Sequence, residues 1–399
     1  MTLPKPVGMS ARRTAIIGGL MVATGPLSLT LYSPALPTIV DDFATTDAAG
    51  KMTLTVYFAA FALAQLLCGP LSDRFGRRSI SLVFFAIYVL GSLVAVFAPT
   101  LEVLFLARFI QGFGVSAGVA LSRAMVRDQF VGREAVRILA LINTILTITP
   151  AVAPTLGSVV LMLATWHQMF AIMAGFGLAI LALLAFGARE TLPTTARVPI
   201  QPKVVFKNYW SLLRAPEFVF PSLLLTLCFA GFHAITVLLP FILIDGMGLT
   251  PLQYAFALLI QTSSFLTGTI IVSVLSRRVP GTALLVTALA LMLVSGAAII
   301  VLPTLFPTSV IAIMVATSIW SVALAFISPS ATAAAMAGFG NIAGAAGALT
   351  GFFQVGGGFM GTLVAGAFPN AHVAVVTMLP IIAVLALIVA SAARRYIAK

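Results

Sequence analysis

Gly69-Pro70-Leu71-Ser72-Asp73-Arg74-Phe75-Gly76-Arg77-Arg78 puts four charges into its last six positions, in a chain where only 8% of residues are charged. The stretch follows a long apolar run and precedes another. Gly76 supplies backbone angles that other residues avoid, and Asp73 is placed to pair with the nearby arginines or to cap a helix start. The spacing therefore predicts a tight polar turn between two apolar helices.

Working outward, the whole chain follows that alternation. Its 399 residues are 61% hydrophobic, against about 45–50% for a soluble domain. A water-facing globule cannot bury so much apolar surface, so the composition indicates a polytopic membrane protein. Polar residues, glycines and prolines divide the chain into twelve apolar runs, near 14–36, 51–72, 79–98, 101–124, 138–163, 166–188, 218–241, 251–276, 280–302, 307–330, 343–366 and 371–393. Each is long enough to cross lipid as a helix. Helices are expected because the hydrocarbon offers no partner to open backbone groups, and the runs lack the alternation of a barrel strand. The first run is too long for the apolar part of a signal peptide and has no convincing cleavage site, so it reads as the first span.

The basic residues orient the array. Lys5, Arg12, Arg13, Arg74, Arg77, Arg78, Arg123, Arg127, Arg133, Arg137, Arg189, Arg197, Lys203, Lys207, Arg214, Arg277, Arg278, Arg394, Arg395 and Lys399 all fall on one side. Lys51 is placed in an opposite-side loop and Arg108 within a span. Such a bias predicts both termini and the long middle connection in the cytoplasm, as in a bacterial inner membrane. The net charge of +12 then reports topology and contact with anionic lipid, not nucleic-acid binding.

The organisation expected is an all-α membrane protein of twelve transmembrane helices in two pseudo-symmetric six-helix bundles. The first bundle covers residues 1–188, a linker rich in proline 189–216, and the second bundle 217–399. Leu71-Ser72-Asp73-Arg74 closes the second span and Leu275-Ser276-Arg277-Arg278 the eighth, a faint internal repeat. Related halves suggest a transporter with a central site between them.

Beyond this physical reading, Gly69–Arg78 resembles the signature loop of the major facilitator superfamily, G-x-L-x-D-R-x-G-R-[RK], between spans two and three. Arg108-Phe109-Ile110-Gln111-Gly112 resembles the fourth-span motif R-x-x-Q-G. Pro150–Gly157 resembles the fifth-span antiporter motif, with Ala153 and Ser158 where glycines are usual. Tyr32-Ser33-Pro34-Ala35-Leu36-Pro37 resembles the end of the first span in twelve-span drug exporters, and the chain resembles the bicyclomycin and chloramphenicol resistance exporters. The resemblance implies alternating access, with two bundles rocking about a central site. It gives Asp73, Arg74, Gly76 and Arg77 the role of a latch, and Arg108, Gly112, Pro154 and Gly157 a part in gating or coupling.

A charge inside a span is costly, so Arg108 is expected to face the bundle interior with a partner, as a gate, as a tuner of a proton site or as a structural donor. Exporters of this type often carry an acid where Thr30 stands, and no Asp or Glu falls securely inside a span. His233, in mid-span, belongs to the residue type that titrates near neutral pH, and is a candidate for gating or proton coupling beside the plainer role of an interior hydrogen bonder. Tyr32, Tyr57, Asn143, His233, Gln261, Trp320 and Gln354 are the candidates for lining a cavity, where aromatic faces suit hydrophobic or cationic ligands.

No catalytic constellation, metal-ligand cluster or Gly-x-x-x-x-Gly-Lys-Ser/Thr loop is present, so neither an enzyme, a metal nor another cofactor is expected. Cys68 and Cys228 lie in apolar runs and read as packing residues. The expected partners are a small-molecule substrate, protons as coupling ion and the bilayer, and the expected state is a monomer. Proton-driven export of small amphipathic compounds is the first reading, and import of a specific metabolite or siderophore the second.

Overall fold

A computed structural model describes residues 8–276 and 278–397, with side chains through 392. Lys5, Arg277 and Lys399 lie outside the described residues, as do the side chains of Arg394 and Arg395. The described chain is helical, and twelve of its helical stretches are long and apolar enough to cross a membrane.

The first span is longer than its apolar run suggests. Helix α1 (Ala11–Thr30) leads through a short 3₁₀ turn at Ser33–Ala35 into α2 (Leu36–Asp42). Pro34 and Pro37 remove backbone donors here and break the regular ladder without ending the span. Helix α3 (Asp47–Phe75) follows, capped by Thr46. Lys51 is therefore not in a loop: it sits in the second turn of α3, fully buried. Gly76 alone separates α3 from α4 (Arg77–Val96), at φ +100°. Asp73 and Arg74 belong to the last turn of α3, so the turn is one residue long.

The fourth span comprises α5 (Leu101–Val115) and α6 (Ala117–Gln129), offset at Ser116. Helix α7 (Gly132–Leu163) runs without a break through Pro150 and Pro154. Helix α8 (His167–Ala182) ends in a π-helical turn, Leu183–Gly187. The middle connection is not irregular throughout: it carries α9 (Pro202–Leu213). The second set of spans is α10 (Pro216–Pro240, extended by a π-helical turn to Gly246), α11 (Pro251–Leu275), α12 (Gly281–Leu305), α13 (Val310–Met336), α14 (Ala343–Gly366) and α15 (Ala371–Ile397).

Six spans precede the linker and six follow it. Between the sets, α3 runs along α14 and α7 along α11. Glycines make the first contact close: a Cβ on Gly358 would meet the Phe58 ring, and one on Gly351 the Gln65 side chain. Small residues at such seams let helices approach and slide. The α7–α11 pair meets far from the linker, where Ser158 donates to the Pro251 carbonyl at 2.7 Å. Near the linker, Val136, Leu141 and Asn143 of α7 and Ile270, Val274 and Leu275 of α11 are exposed. The two sets are thus sealed at the side opposite the linker.

Candidate functional site at the meeting of two helical halves

Three clusters can be followed through the molecule, two inside the first half and one that joins the halves. The first is the turn that opened the sequence analysis. Arg77 bonds Asp73 at 2.5 Å, the Ser72 hydroxyl at 2.6 Å and Asp128 of α6 at 2.9 Å. Glu190, just past the sixth span, supplies the acid at the other side of the turn. Its carboxylate accepts the backbone N–H groups of Arg77 at 2.7 Å, Arg78 at 3.2 Å, Thr191 at 3.1 Å and Leu192 at 3.2 Å. The first two donors are unpaired N–H groups at the start of α4, where negative charge is favoured. Arg78 completes the exchange by donating to the Leu184 and Ala185 carbonyls at 2.9 and 2.6 Å. Gly76 is fixed sterically as well, because a Cβ there would collide with the Glu190 carboxylate. Arg74 stacks on Phe75 and stays outside the cluster. The named bonds of Asp73 run within the first half and to linker residue Val198, whose N–H donates to the Asp73 carbonyl at 3.2 Å. Sequence reading missed Glu190, whose role arises only from folding the sixth span against the turn.

The second cluster surrounds Arg108, which is fully buried. Its guanidinium lies over the rings of Tyr57 at 4.2 Å and Tyr32 at 4.8 Å, with Phe170 at 5.9 Å. It donates to the Gln111 side chain at 2.5 Å and the Ser28 carbonyl at 3.3 Å, while Nε and Nη2 have no hydrogen-bond partner. Gln111 passes the network to Ser92 at 2.8 Å, and Ser28 to Tyr88 at 2.7 Å. Arg108 thus has aromatic and amide partners rather than a carboxylate. Cation–π attraction, about 2 kcal/mol or more per desolvated contact, joins these hydrogen bonds in offsetting the cost of burying it. Gly112 permits the geometry, since any Cβ would strike the Tyr57 carbonyl. Gly157 does the same beside Leu31, one residue before Tyr32, and Pro154 is buried one turn away. Tyr32, Tyr57, Arg108, Gly112 and Gly157 therefore converge.

The third cluster joins the halves. Phe58, next to Tyr57, meets His233 of α10 edge-on at 4.5 Å, and Phe232 and Phe229 complete the ring set about the imidazole. One His233 ring nitrogen pairs with the Phe229 carbonyl at 2.9 Å. Toward the side opposite the linker, Ser33 and Tyr254 hydroxyls meet at 3.2 Å, and Lys51 lies over the Phe241 ring at 5.1 Å. Lys51 Nζ has no hydrogen-bond partner there. The sequence marked Lys51 only as the one cation on the wrong side.

The remaining candidates separate. Gln261 is buried on α11 with its amide nitrogen unpartnered, and Gln354 is half-buried on α14, donating to Thr332 at 3.2 Å. Asn143 is exposed on α7, away from the Arg108 and His233 clusters. Trp320 is fully buried inside the second half, its indole N–H donating to the Cys228 carbonyl at 3.0 Å. Its ring fills the space that Gly231 leaves, so it packs α13 on α10. A polar or aromatic residue type and its position in a span do not tell which way a helix face points.

One prediction concerns Lys51. An ammonium buried without a hydrogen bond opposes the closed seal, and attraction to the Phe241 ring and to the Asp47 carboxylate one turn earlier offsets only part of that. Lys51→Met keeps the volume and removes the charge. It is expected to stabilise the closed form by about 1 kcal/mol or more, read as a higher unfolding temperature of the purified protein, and to slow transport. A lower unfolding temperature would show that Lys51 holds the seal together.

This arrangement, twelve spans in two sets around a polar and aromatic seam, defines a secondary-transporter class. The sequence profile of the Major Facilitator Superfamily matches residues 18–365, and the chain belongs to that family. It is 30% identical to the MFS-type transporter YdgK of Bacillus subtilis over 88% of each chain. It is 33% identical to the multidrug resistance protein MdtL of Klebsiella pneumoniae over 44% of each chain. Among solved structures, the nucleoside transporter NupG superposes with a TM-score of 0.74 at 15% identity, covering 97% of this chain and 98% of that one. The human organic anion transporter MFSD10 does so with a TM-score of 0.69 at 17% identity, covering 96% and 99%. The protein is a multi-pass membrane transporter and not an enzyme.

Proposed function

We propose that this transporter exports small amphipathic compounds in exchange for protons, from a bacterial inner membrane, with the linker and both termini in the cytoplasm. The aromatic set of Phe58, Phe229, Phe232 and His233 at the joint of the halves, backed by Tyr32 and Tyr57, carries the reading. Offset and edge-on aromatic faces hold flat apolar molecules without fixed hydrogen-bond geometry, which suits a transporter of varied lipophilic cargo. The excess of Lys and Arg on the linker side supports the orientation. The partial match to MdtL supports the drug-export class. The closed side then faces outward, and alternating access proceeds by rocking one half against the other, working as a monomer.

Cells loaded with a lipophilic dye test this. Energised cells making the protein should clear dye faster than cells without it, and a protonophore should abolish the difference. Equal clearance without a gradient contradicts proton exchange. The second reading, uptake of a specific metabolite or siderophore, rests on the acids. None of the ten lies at the Arg108 or His233 clusters, so the usual embedded proton-carrying carboxylate is missing. Gradient-independent uptake of a labelled solute, without dye clearance, would favour it.

A further inference from the structure

Helix α9 has two unlike faces. Val205, Tyr209 and Leu212 turn toward the protein, and the Tyr209 hydroxyl donates to the Leu66 carbonyl of α3 at 2.9 Å. Burial, with Asp73 and Cys68 nearby, pushes that phenol up to about 12, so it remains a donor. Leu212 packs with Phe218, Ala335 and Ala346 of the second half. The helix therefore bridges the two halves at the linker side.

The opposite face is unpartnered. Phe206, Trp210 and Leu213 are 68%, 46% and 43% exposed, at spacings that align on one helical edge. Phe206 and Trp210 stack, and Arg214 lies over Trp210 at 4.7 Å. Lys203, Lys207 and Arg214 fall on the adjoining edge, a shift of about a quarter turn at 3.6 residues per turn. From Thr191 to Pro216 the linker holds four basic residues, with Arg197, and no acid. One span ends at Gly187 and the next begins at Pro216, and the Tyr209–Leu66 bond ties the intervening α9 to the linker-side half of α3.

We propose that α9 docks on anionic lipid headgroups of the leaflet at the linker side, with Phe206, Trp210 and Leu213 at the headgroup–acyl boundary and Lys203, Lys207 and Arg214 on lipid phosphates. A helix with an apolar edge beside a basic one takes this position. Because Tyr209 and Leu212 tie α9 to both halves, docking fixes the linker-side ends of α3 and α14 against each other. Anionic lipid thereby sets the balance between the two access states. The inference rests on the twelve-span fold, and not on the direction or cargo of transport.

The full-length protein is reconstituted in phosphatidylcholine vesicles with or without phosphatidylglycerol, and brominated lipid reports the depth of Trp210, isolated by difference from Trp210→Phe. Each basic residue near an anionic surface is worth about fivefold in affinity, so three give on the order of a hundredfold. Trp210 quenching should rise with phosphatidylglycerol, and Lys203→Gln/Lys207→Gln/Arg214→Gln should abolish the rise while keeping the quenching seen in pure phosphatidylcholine. Equal quenching in both lipids, an unchanged rise in the triple variant, or the same response to soluble glycerol phosphate would overturn the proposal. Dye transport is not read in this assay, so it can fail or succeed independently of the export reading.

Discussion

Arg108→Lys is expected to reduce transport to background while the protein still reaches the membrane folded. Arginine bridges the Gln111 side chain and the Ser28 carbonyl while its plane lies over Tyr57 and Tyr32. A lysine ammonium is a compact charge, and it cannot reach both acceptors and stack on both rings at once. The cage orders Tyr57, and its neighbour Phe58 makes the ring contact with His233 of the other half. Loosening the cage therefore disturbs the seam where the halves must part and rejoin. A fold-retaining loss of at least about tenfold, or about 1.4 kcal/mol of coupling, is expected in proteoliposome flux. Arg108→Ala should add a stability loss of about 2–5 kcal/mol, the usual range for deleting a large buried side chain. Parental flux in Arg108→Lys would limit Arg108 to a replaceable packing role.

Arg77→Ala is the second large effect, and it falls first on stability. Arg77 bonds Asp128, whose side chain is only 14% exposed, together with Asp73 and Ser72. Removing one partner of a buried pair leaves the other charge desolvated, at about 3–5 kcal/mol. Asp73 is 45% exposed and adds little to that figure. The unfolding temperature of the detergent-purified protein should fall by several degrees, and Arg77→Lys should recover only part, lacking the planar fork. Double replacement with Asp128→Asn should be milder than Arg77→Ala alone, because the stranded charge is gone. An unfolding temperature equal to that of the parent would show that Glu190 and the α4 N-terminus hold the turn unaided.

The number of spans was legible because hydropathy over some twenty residues is dictated by the bilayer. The turn at Gly76 was legible because four charges in six residues are too costly for the hydrocarbon, and a glycine among them permits the left-handed backbone of a tight turn. Helix α9 escaped, since an amphipathic surface helix has no long apolar run. The first span extends to Asp42 because Pro34, early in the 3₁₀ turn, and Pro37, early in α2, occupy positions that need no donor. Arg108 announced itself as a charge within a span, but its aromatic partners come from the turn after α1, from α3 and from α8 and are brought together only by the fold. The same limit explains Lys51 and Glu190, which are defined by contacts across helices, and Trp320, whose ring turns inward to the second half.

The central claim is that the halves separate at the side now sealed during each transport cycle. Ser158→Cys with Pro251→Cys places thiols at the seal, where the parent side chain and carbonyl stand 2.7 Å apart, while native Cys68 and Cys228 are buried. A short reducible bis-thiosulfonate linker across that pair should stop flux in proteoliposomes, and reductant should restore it. Complete cross-linking with flux at the parental rate would contradict rocking halves.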